Sequence, residues 1–506
     1  MLHSTSSRNQ VALSAVCLSA LMFGLEISSV PTILPTLEQL FSADFRQLQW
    51  VMNAYTTAMT ACLMAMGALA DRFGRKRVFL AGQVVFGVAS LACGLADSPS
   101  MLIGARALQG AAAAALLTCQ IAVLSQQFRD GRERALAFGW WGVTFGVGLG
   151  FGPLIGGLTA VVLGWEWVFL VHVILAAVAV ILIQVGVEES TDPHALRLDV
   201  AGMVTLSLAV FCLVYLITRG RMPGPGDISG LALAALGVAC FSAFVVVETR
   251  VARPMFDFTA FRTTNFSGAL LASAGMNFSF WPFIIYLPVY FQGVLGLDSL
   301  DAGLCLLAYT LPPLLAPPIA ERLLLHFGPQ VVIPLGLVII GCGFVLMRAA
   351  ALGGDASWVD MLPGCILAGS GLGLANTTAT NTASAALPPE RAGMASGMNM
   401  SASMIALAIN IALMGFILLQ GTQAGLERLL PAATGDELSL LAESVAAGGE
   451  AVAAGAGLPI ALVRQSLVHG FDWVMLYGAG GVWLFAAICK LVFGSAKRSG
   501  PAPCDR

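Results

Sequence analysis

Charge is what this sequence has least of. Only 10% of its 506 residues are Asp, Glu, Lys or Arg, while 58% are hydrophobic and the mean hydropathy is +0.85; soluble domains carry about 25% charged residues. The deficit excludes a soluble enzyme. The 25 Lys and Arg are outnumbered by 28 Asp and Glu, a net charge of -3, so no basic face is available to wrap nucleic acid. The eleven cysteines form no Cys-x-x-Cys pair, and all but Cys504 lie inside apolar runs as small packing residues. Neither a disulfide framework nor a metal site is implied.

What the chain has in abundance is apolar length. Crossing the hydrocarbon core takes about 20 mostly apolar residues in helical form, and fourteen such runs follow one another: 11–33, 48–70, 78–96, 101–124, 137–160, 165–187, 199–218, 228–248, 264–291, 301–320, 330–349, 359–385, 394–420 and 470–493. The first is too long for a secretory signal and is interrupted by Glu26 rather than by a cleavage site, so it is expected to remain as span 1.

Lys and Arg concentrate in cytoplasmic loops. With the N-terminus inside, eighteen fall on the inner side: Arg8, Arg72, Arg75, Lys76, Arg77, Arg129, Arg132, Arg134, Arg197, Arg250, Arg253, Arg262, Arg322, Arg391, Lys490, Lys497, Arg498 and Arg506. Six fall outside, namely Arg46, Arg219, Arg221, Arg348, Arg428 and Arg464, and Arg106 is left within the membrane. Both termini are therefore expected in the cytoplasm, with an even number of spans. A polar linker at 188–198 suggests a boundary between two bundles, and the Ala/Gly-rich stretch 421–469 is expected to form a short helical segment outside.

The loop after span 2 reads Gly67-Ala-Leu-Ala-Asp71-Arg72-Phe-Gly74-Arg75-Lys76-Arg77. Gly74 permits a tight turn at positive φ, Asp71 is suited to cap an adjacent helix N-terminus, and the cations hold to the inner aqueous layer. Span 4 carries Arg106-Ala-Leu-Gln109-Gly110. Span 5 carries Gly142, Gly146, Gly148, Gly150 and Gly152-Pro153-Leu-Ile-Gly156-Gly157. Residues 142, 146 and 150 share a face at i+4 spacing, which lets another helix approach closely, and Pro153 is expected to bend the axis.

Together with Leu25-Glu26, Leu34-Pro35, Trp165-Glu166-Trp167-Val-Phe169 and Asp199-Val-Ala-Gly202, these motifs resemble the major facilitator superfamily, and within it the fourteen-span drug:proton antiporters of the EmrB/QacA type. The resemblance implies an all-α membrane protein with the major facilitator fold, two six-helix bundles plus two inserted spans. On that pattern residues 1–187 form the first bundle, 188–262 the linker and inserted spans, 263–495 the second bundle and 496–506 a cytoplasmic tail. The loop Glu321-Arg-Leu-Leu-Leu-His326-Phe327-Gly328 aligns with Gly67 to Gly74, as an internal repeat would. Departures from the family pattern include Glu26 where aspartate is usual, Glu166 where arginine is usual, and His172 where asparagine is common.

The implied activity is proton-coupled export of lipophilic small molecules from the inner membrane, driven by the proton gradient without a cofactor. A periplasmic adaptor and an outer-membrane channel are left open as partners. A proton-coupled uptake symporter and a non-transporting membrane sensor stand as alternatives. An ionised carboxylate in mid-membrane costs about 2.5–3.5 kcal/mol on insertion scales. Dehydration favours the protonated form of Glu26 and a nearby cation the ionised form, so changing hydration would load and unload a proton. By resemblance, Arg106 lies near span 1 and takes part in that coupling. His172 reads first as a buried hydrogen-bonding residue. Polar or aromatic residues inside spans, Asn53, Tyr55, Gln109, Gln120, Asn277, Trp281, Tyr286 and Asn376, are candidates for lining the substrate cavity.

Overall fold

The computed structural model describes residues 2–128, 131–191, 200–218, 227–250, 261, 263–353, 357–386, 392–431, 435–448 and 458–496. Most of the expected linker, the stretch before span 9, the cytoplasmic tail, and with them Arg129, Arg197, Arg219, Arg221, Arg253, Arg262, Arg391, Lys497, Arg498 and Arg506, lie outside the described residues.

Helices α1 (Leu2–Ser29), α2 (Leu34–Phe41), α3 (Phe45–Phe73), α4 (Arg75–Gly94), α5 (Pro99–Gln127), α6 (Gly131–Val162) and α7 (Trp167–Gly186) pack on one another as a first group. A single 3-10 turn, Val30–Ile33, joins α1 to α2. Helices α10 (Thr264–Phe278), α11 (Phe280–Gly293), α12 (Ser299–Thr310), α13 (Pro312–Leu315), α14 (Pro317–Phe327), α15 (Pro329–Ala351), α16 (Trp358–Ala385), α17 (Ala392–Leu429) and α19 (Ile460–Ala496) form a second group, with α18 (Gly435–Gly448) beside α17. Between them in the chain come α8 (Val200–Thr218) and α9 (Ile228–Arg250).

Local chemistry sets the boundaries. The Asp44 carboxylate accepts from the Gln47 amide at 2.7 Å while the Gln47 side chain accepts from the Asp44 amide at 3.0 Å, a capping box that starts α3. Gly74 ends α3 at φ +111°, and Gly328 ends α14 at φ +73°, so the two repeat-related loops use the same glycine for a left-handed turn. Pro312, Pro313, Pro317 and Pro318 lack the amides that would continue a helix, and the expected single run 301–320 is bent by 48°. The run 264–291 likewise breaks at Ser279. Spans 13 and 14 outrun their apolar cores, reaching Leu429 and starting at Ile460, because apolar length sets the crossing whereas helix propensity sets the helix.

Twelve helical stretches among the described residues are long and apolar enough to cross a membrane, thirteen when the bent pair Ser299–Leu315 and Pro318–Phe327 counts as one. The expected fourteen is not reached on apolar length. Helix α3, 29 residues long, is not among these stretches; Gln47, Gln49, Asn53, Thr56, Thr57 and Thr60 dilute its apolar character.

Helix α6 carries glycines on two faces. Gly148, Gly152 and Gly156 meet α1 at Leu21, Gly24, Ser28 and Ser29, while Gly146, Gly150 and Gly157 meet Leu314, Thr310, Leu311 and Ser299 of the second group. Gly142 faces open space, and Pro153 sits inside the continuous helix with its carbonyl against Gly303. The Thr310 hydroxyl donates to the Gly150 carbonyl at 2.8 Å, Gln49 donates to the Tyr286 hydroxyl at 3.0 Å, and Gln292 donates to the Thr32 carbonyl at 2.9 Å. The Gln49 and Gln292 contacts lie toward the end of the bundle where α3 and α12 begin. There α18 buries Val445, Ala446 and Ala447, and Glu443 pairs with Arg46. Helices α4 and α5 pack mainly on first-group helices, and α14 and α15 on second-group helices.

Gly148→Val would press a side chain into the α1 backbone and should lower stability by about 1–3 kcal/mol. Gly142→Ala, in open space, should stay within about 0.5 kcal/mol of wild type. Thermal unfolding of the purified protein checks the contrast, and equal losses from both would contradict the packing of α6 on α1.

Candidate functional site

Five helices of the first group converge on one buried cluster. Glu26 on α1 and Arg106 on α5 form an ion pair in which both side chains are 0% exposed. Arg106 Nε donates to the Val51 carbonyl of α3 at 3.0 Å, and Nη1, besides binding Glu26 Oε1, donates to Gln109 Oε1 at 2.7 Å. Spacing explains the second contact, since residues three apart share a helix face. The guanidinium carbon lies 4.4 Å from the centre of the Tyr55 ring and 5.9 Å from that of Phe169, a cation over aromatic faces. Gln109 Nε2 donates onward to Ser90 Oγ of α4 at 2.9 Å.

The close approach of α5 to α3 depends on Gly110, one residue past Gln109. A Cβ there would lie 2.8 Å from the Tyr55 carbonyl carbon. The cluster is nonetheless not saturated. Glu26 Oε2, Arg106 Nη2 and the Tyr55 hydroxyl are buried without a hydrogen-bond partner among the described residues. Oε2 faces His172 of α7, whose Nε2 lies 3.4 Å away at ion-pair distance. Such unsatisfied buried groups are uncommon and point to a role beyond packing.

The other expected cavity residues scatter. Asn53 donates to Thr218 of α8 at 3.3 Å. Gln120 accepts from Trp141 at 2.8 Å. Asn277 donates to Ser273 O of its own helix at 2.8 Å, Trp281 is half-buried beside Phe280, and Asn376 is exposed on α16. Tyr286 lines a small cavity with Gln49, Leu48, Ile411 and Ala446. A larger cleft of about 310 Å³ opens nearby between Gln39, Val161, Gln292 and Asp298. Neither touches Glu26 or Arg106. Among the described residues no group of His, Cys, Asp and Glu is placed to hold a metal ion.

The loop between α3 and α4 is built differently from expectation. Asp71 does not cap α4; it accepts from its neighbour Arg75, at 2.7 Å from Nη2 and 3.1 Å from Nε. The first amides of α4 are met instead by the chain after α7. Glu189 accepts from the Lys76 amide at 3.1 Å, its carboxylate fills the space beside Gly74, and Ser190 O accepts from the Arg75 amide at 3.0 Å. Arg72 stacks on Phe73, and Gly67 lies 3.8 Å from Thr118 when a Cβ is placed on it.

The family model described as Major Facilitator Superfamily matches residues 16–410. The chain belongs to that superfamily. Within the superfamily it is similar to the multidrug resistance protein Stp of Mycobacterium tuberculosis, with 31% identity over 92% of this chain and 88% of that protein. It is also similar to the tetracenomycin C resistance and export protein of Streptomyces glaucescens, at 28% identity over 97% and 93% of the two chains. The quinolone resistance protein NorB of Staphylococcus aureus is 28% identical over 82% of this chain and 89% of its own. Among solved folds, a bacterial homolog of the human lysosomal transporter Spinster in an inward-facing, unoccupied conformation aligns at TM-score 0.64 with 16% identity, covering 98% of this chain and 99% of that one.

Three groups in this major facilitator's site escaped the sequence reading: Ser90, the Val51 carbonyl, and Cys93, whose thiol donates to Gln109 Oε1 at 3.7 Å. They carry no charge to mark them; only the helical spacing of Ser90 and Cys93 within an apolar run hinted at a shared face. Removing one partner of a buried ion pair costs about 3–5 kcal/mol because the other charge is left uncompensated. Arg106→Ala also empties the space of one of the largest fully buried side chains, so it should unfold at markedly lower temperature than Glu26→Gln, which keeps the volume and a neutral acceptor for the guanidinium. Thermal unfolding in detergent reads this, and equal stability of the two variants would contradict the arrangement.

Proposed function

We propose that this chain exports lipophilic small molecules across the cytoplasmic membrane by alternating access, in exchange for protons carried at Glu26. The carrying observation is a carboxylate and a guanidinium paired with no exposed surface in the middle of a bundle of apolar helices. The resistance and export functions in the relatives' names favour export over uptake or sensing.

The chemistry follows from what each state of Glu26 satisfies. Ionised, it ties α1 to α5 through Arg106. Protonated, it is neutral, and the guanidinium is held by the Val51 carbonyl, Gln109 and the Tyr55 face alone. Loading a proton thus loosens one helix contact without stranding the cation, and substrate-driven rearrangement can return it. One entering proton supplies about 2.3 kcal/mol per 100 mV of potential and about 1.4 kcal/mol per unit of pH. With a single coupling carboxylate, exchange for a neutral or weakly acidic molecule uses both contributions, whereas exchange for a dication works against the potential.

The proposed topology has fourteen spans, counting α3 and the bent pair α12–α14, with two six-helix bundles, α8 and α9 inserted, both termini cytoplasmic and α18 outside. The 188–262 stretch would link the bundles. Single cysteines placed at Gly74 and Gly435 in a cysteine-free background should label from opposite sides of the membrane; labelling of both by an impermeant reagent from outside would overturn this topology.

Glu26→Gln should fold and bind substrate yet lose export against a gradient in an efflux-deficient host or in proteoliposomes. Uphill export by that variant would refute coupling at Glu26.

A further inference from the structure

We infer that the coupling proton is held between Glu26 and His172 rather than on Glu26 alone, so that His172 is a positioning residue for that proton. The inference rests on proton coupling at Glu26 and adds a second group to it.

The geometry lies on both sides of the imidazole. His172, 1% exposed, has Nδ1 3.1 Å from the Val168 carbonyl, while Nε2 lies 3.3 Å from the Met22 carbonyl and 3.4 Å from Glu26 Oε2. Every polar atom facing the ring is an oxygen. A neutral imidazole has one N–H and one lone pair. Whichever tautomer it adopts, one nitrogen therefore turns a lone pair toward an oxygen. With Glu26 ionised and Nδ1 protonated, Nε2 and Oε2 are two acceptors face to face in a dry site.

One added proton removes the conflict, wherever it rests. On Oε2 it is donated to Nε2, while Nδ1–H donates to Val168. On Nε2 it gives an imidazolium that donates from both nitrogens and pairs with the carboxylate. The two forms differ by transfer along the Oε2–Nε2 axis, with the Met22 carbonyl facing a lone pair in the first and an N–H in the second. Oε2 is available because Arg106 occupies the opposite carboxylate oxygen, Oε1.

The surroundings fix the charge. Of the helices packed against α7, α1 contributes Glu26, α4 contributes Cys93 near the pair, and α6 contributes no titratable side chain from its membrane-spanning stretch. Arg106 on α5 and Tyr55 on α3 complete the set. Among the described residues no second carboxylate is present there to stabilise an imidazolium independently of Glu26. Phe86 packs edge-on at 6.0 Å from the ring and helps exclude water.

The test reads proton loading directly, without a transported compound. Purified full-length protein is titrated by pH-difference infrared spectroscopy, and the signal assigned to the site is the one abolished by Glu26→Gln. In His172→Asn, the carboxyl band of that signal should move in frequency, because the proton has lost the imidazole nitrogen that shares it. His172→Gln carries the same measurement if the asparagine variant does not purify as monodisperse protein. A purely structural histidine would lower thermal stability and leave the band where it was; that unchanged band overturns the inference. A signal untouched by Glu26→Gln, together with uphill export by that variant, would instead remove the coupling proposal on which this one stands.

Discussion

A guanidinium in hydrocarbon cannot shed its proton, and everything near Arg106 is arranged around that fact. The α3 backbone lends the Val51 carbonyl, Tyr55 supplies a ring face, Gln109 relays to Ser90 on α4, and α1 supplies the only fully buried carboxylate in contact with it. One cation thereby links four helices. Gly110 exists where it does because those links require α5 and α3 to touch at backbone distance. The first group of helices is organised from this point outward, and its apolar exterior is what remains once the cation has been satisfied.

Helix α6 solves the opposite problem. It must pack firmly on α1 while meeting a second group of helices that has to move past it. Two glycine faces on one helix meet both demands, one held by the α1 backbone and the other by α12 and α13. The second face carries few strong bonds, with the Thr310 to Gly150 hydrogen bond as its clearest polar link. Backbone contact of this kind is close without being sticky, which suits a surface that slides or rocks.

Legibility in the sequence followed charge. Glu26 and Arg106 stood out because charges are rare inside apolar runs, and their nearness was accessible only through the family resemblance. Gly74 and Gly328 were readable as equivalent turns because only glycine tolerates that φ. Tyr55 and Gln109 were visible as polar residues but not as ligands of Arg106, since polarity within a span does not reveal which neighbour it faces. Asp71 was misjudged for a related reason: a cap and an i,i+4 ion pair both start from a carboxylate near a helix end, and Glu189, distant in sequence, took the cap's place. The burial of α18 against the bundle was illegible, because small side chains give a helix no strong periodic signature.

Helix α8 lies in the groove between α3 and α17, bonding through Asn53 to Thr218 and through Ser207 to Ala61, and packing Val210 and Val214 on Ala408 and Ala412. A two-bundle transporter has two such grooves, related by its approximate two-fold axis. Here one flank carries an added helix along a long stretch, while on the other α6 meets α12 and α13 directly through Gly146, Gly150 and Gly157, and the neighbouring Gly142 position is uncovered. The added helix therefore makes the two flanks unlike: one is a sandwich three helices deep, the other a bare seam of helix on helix.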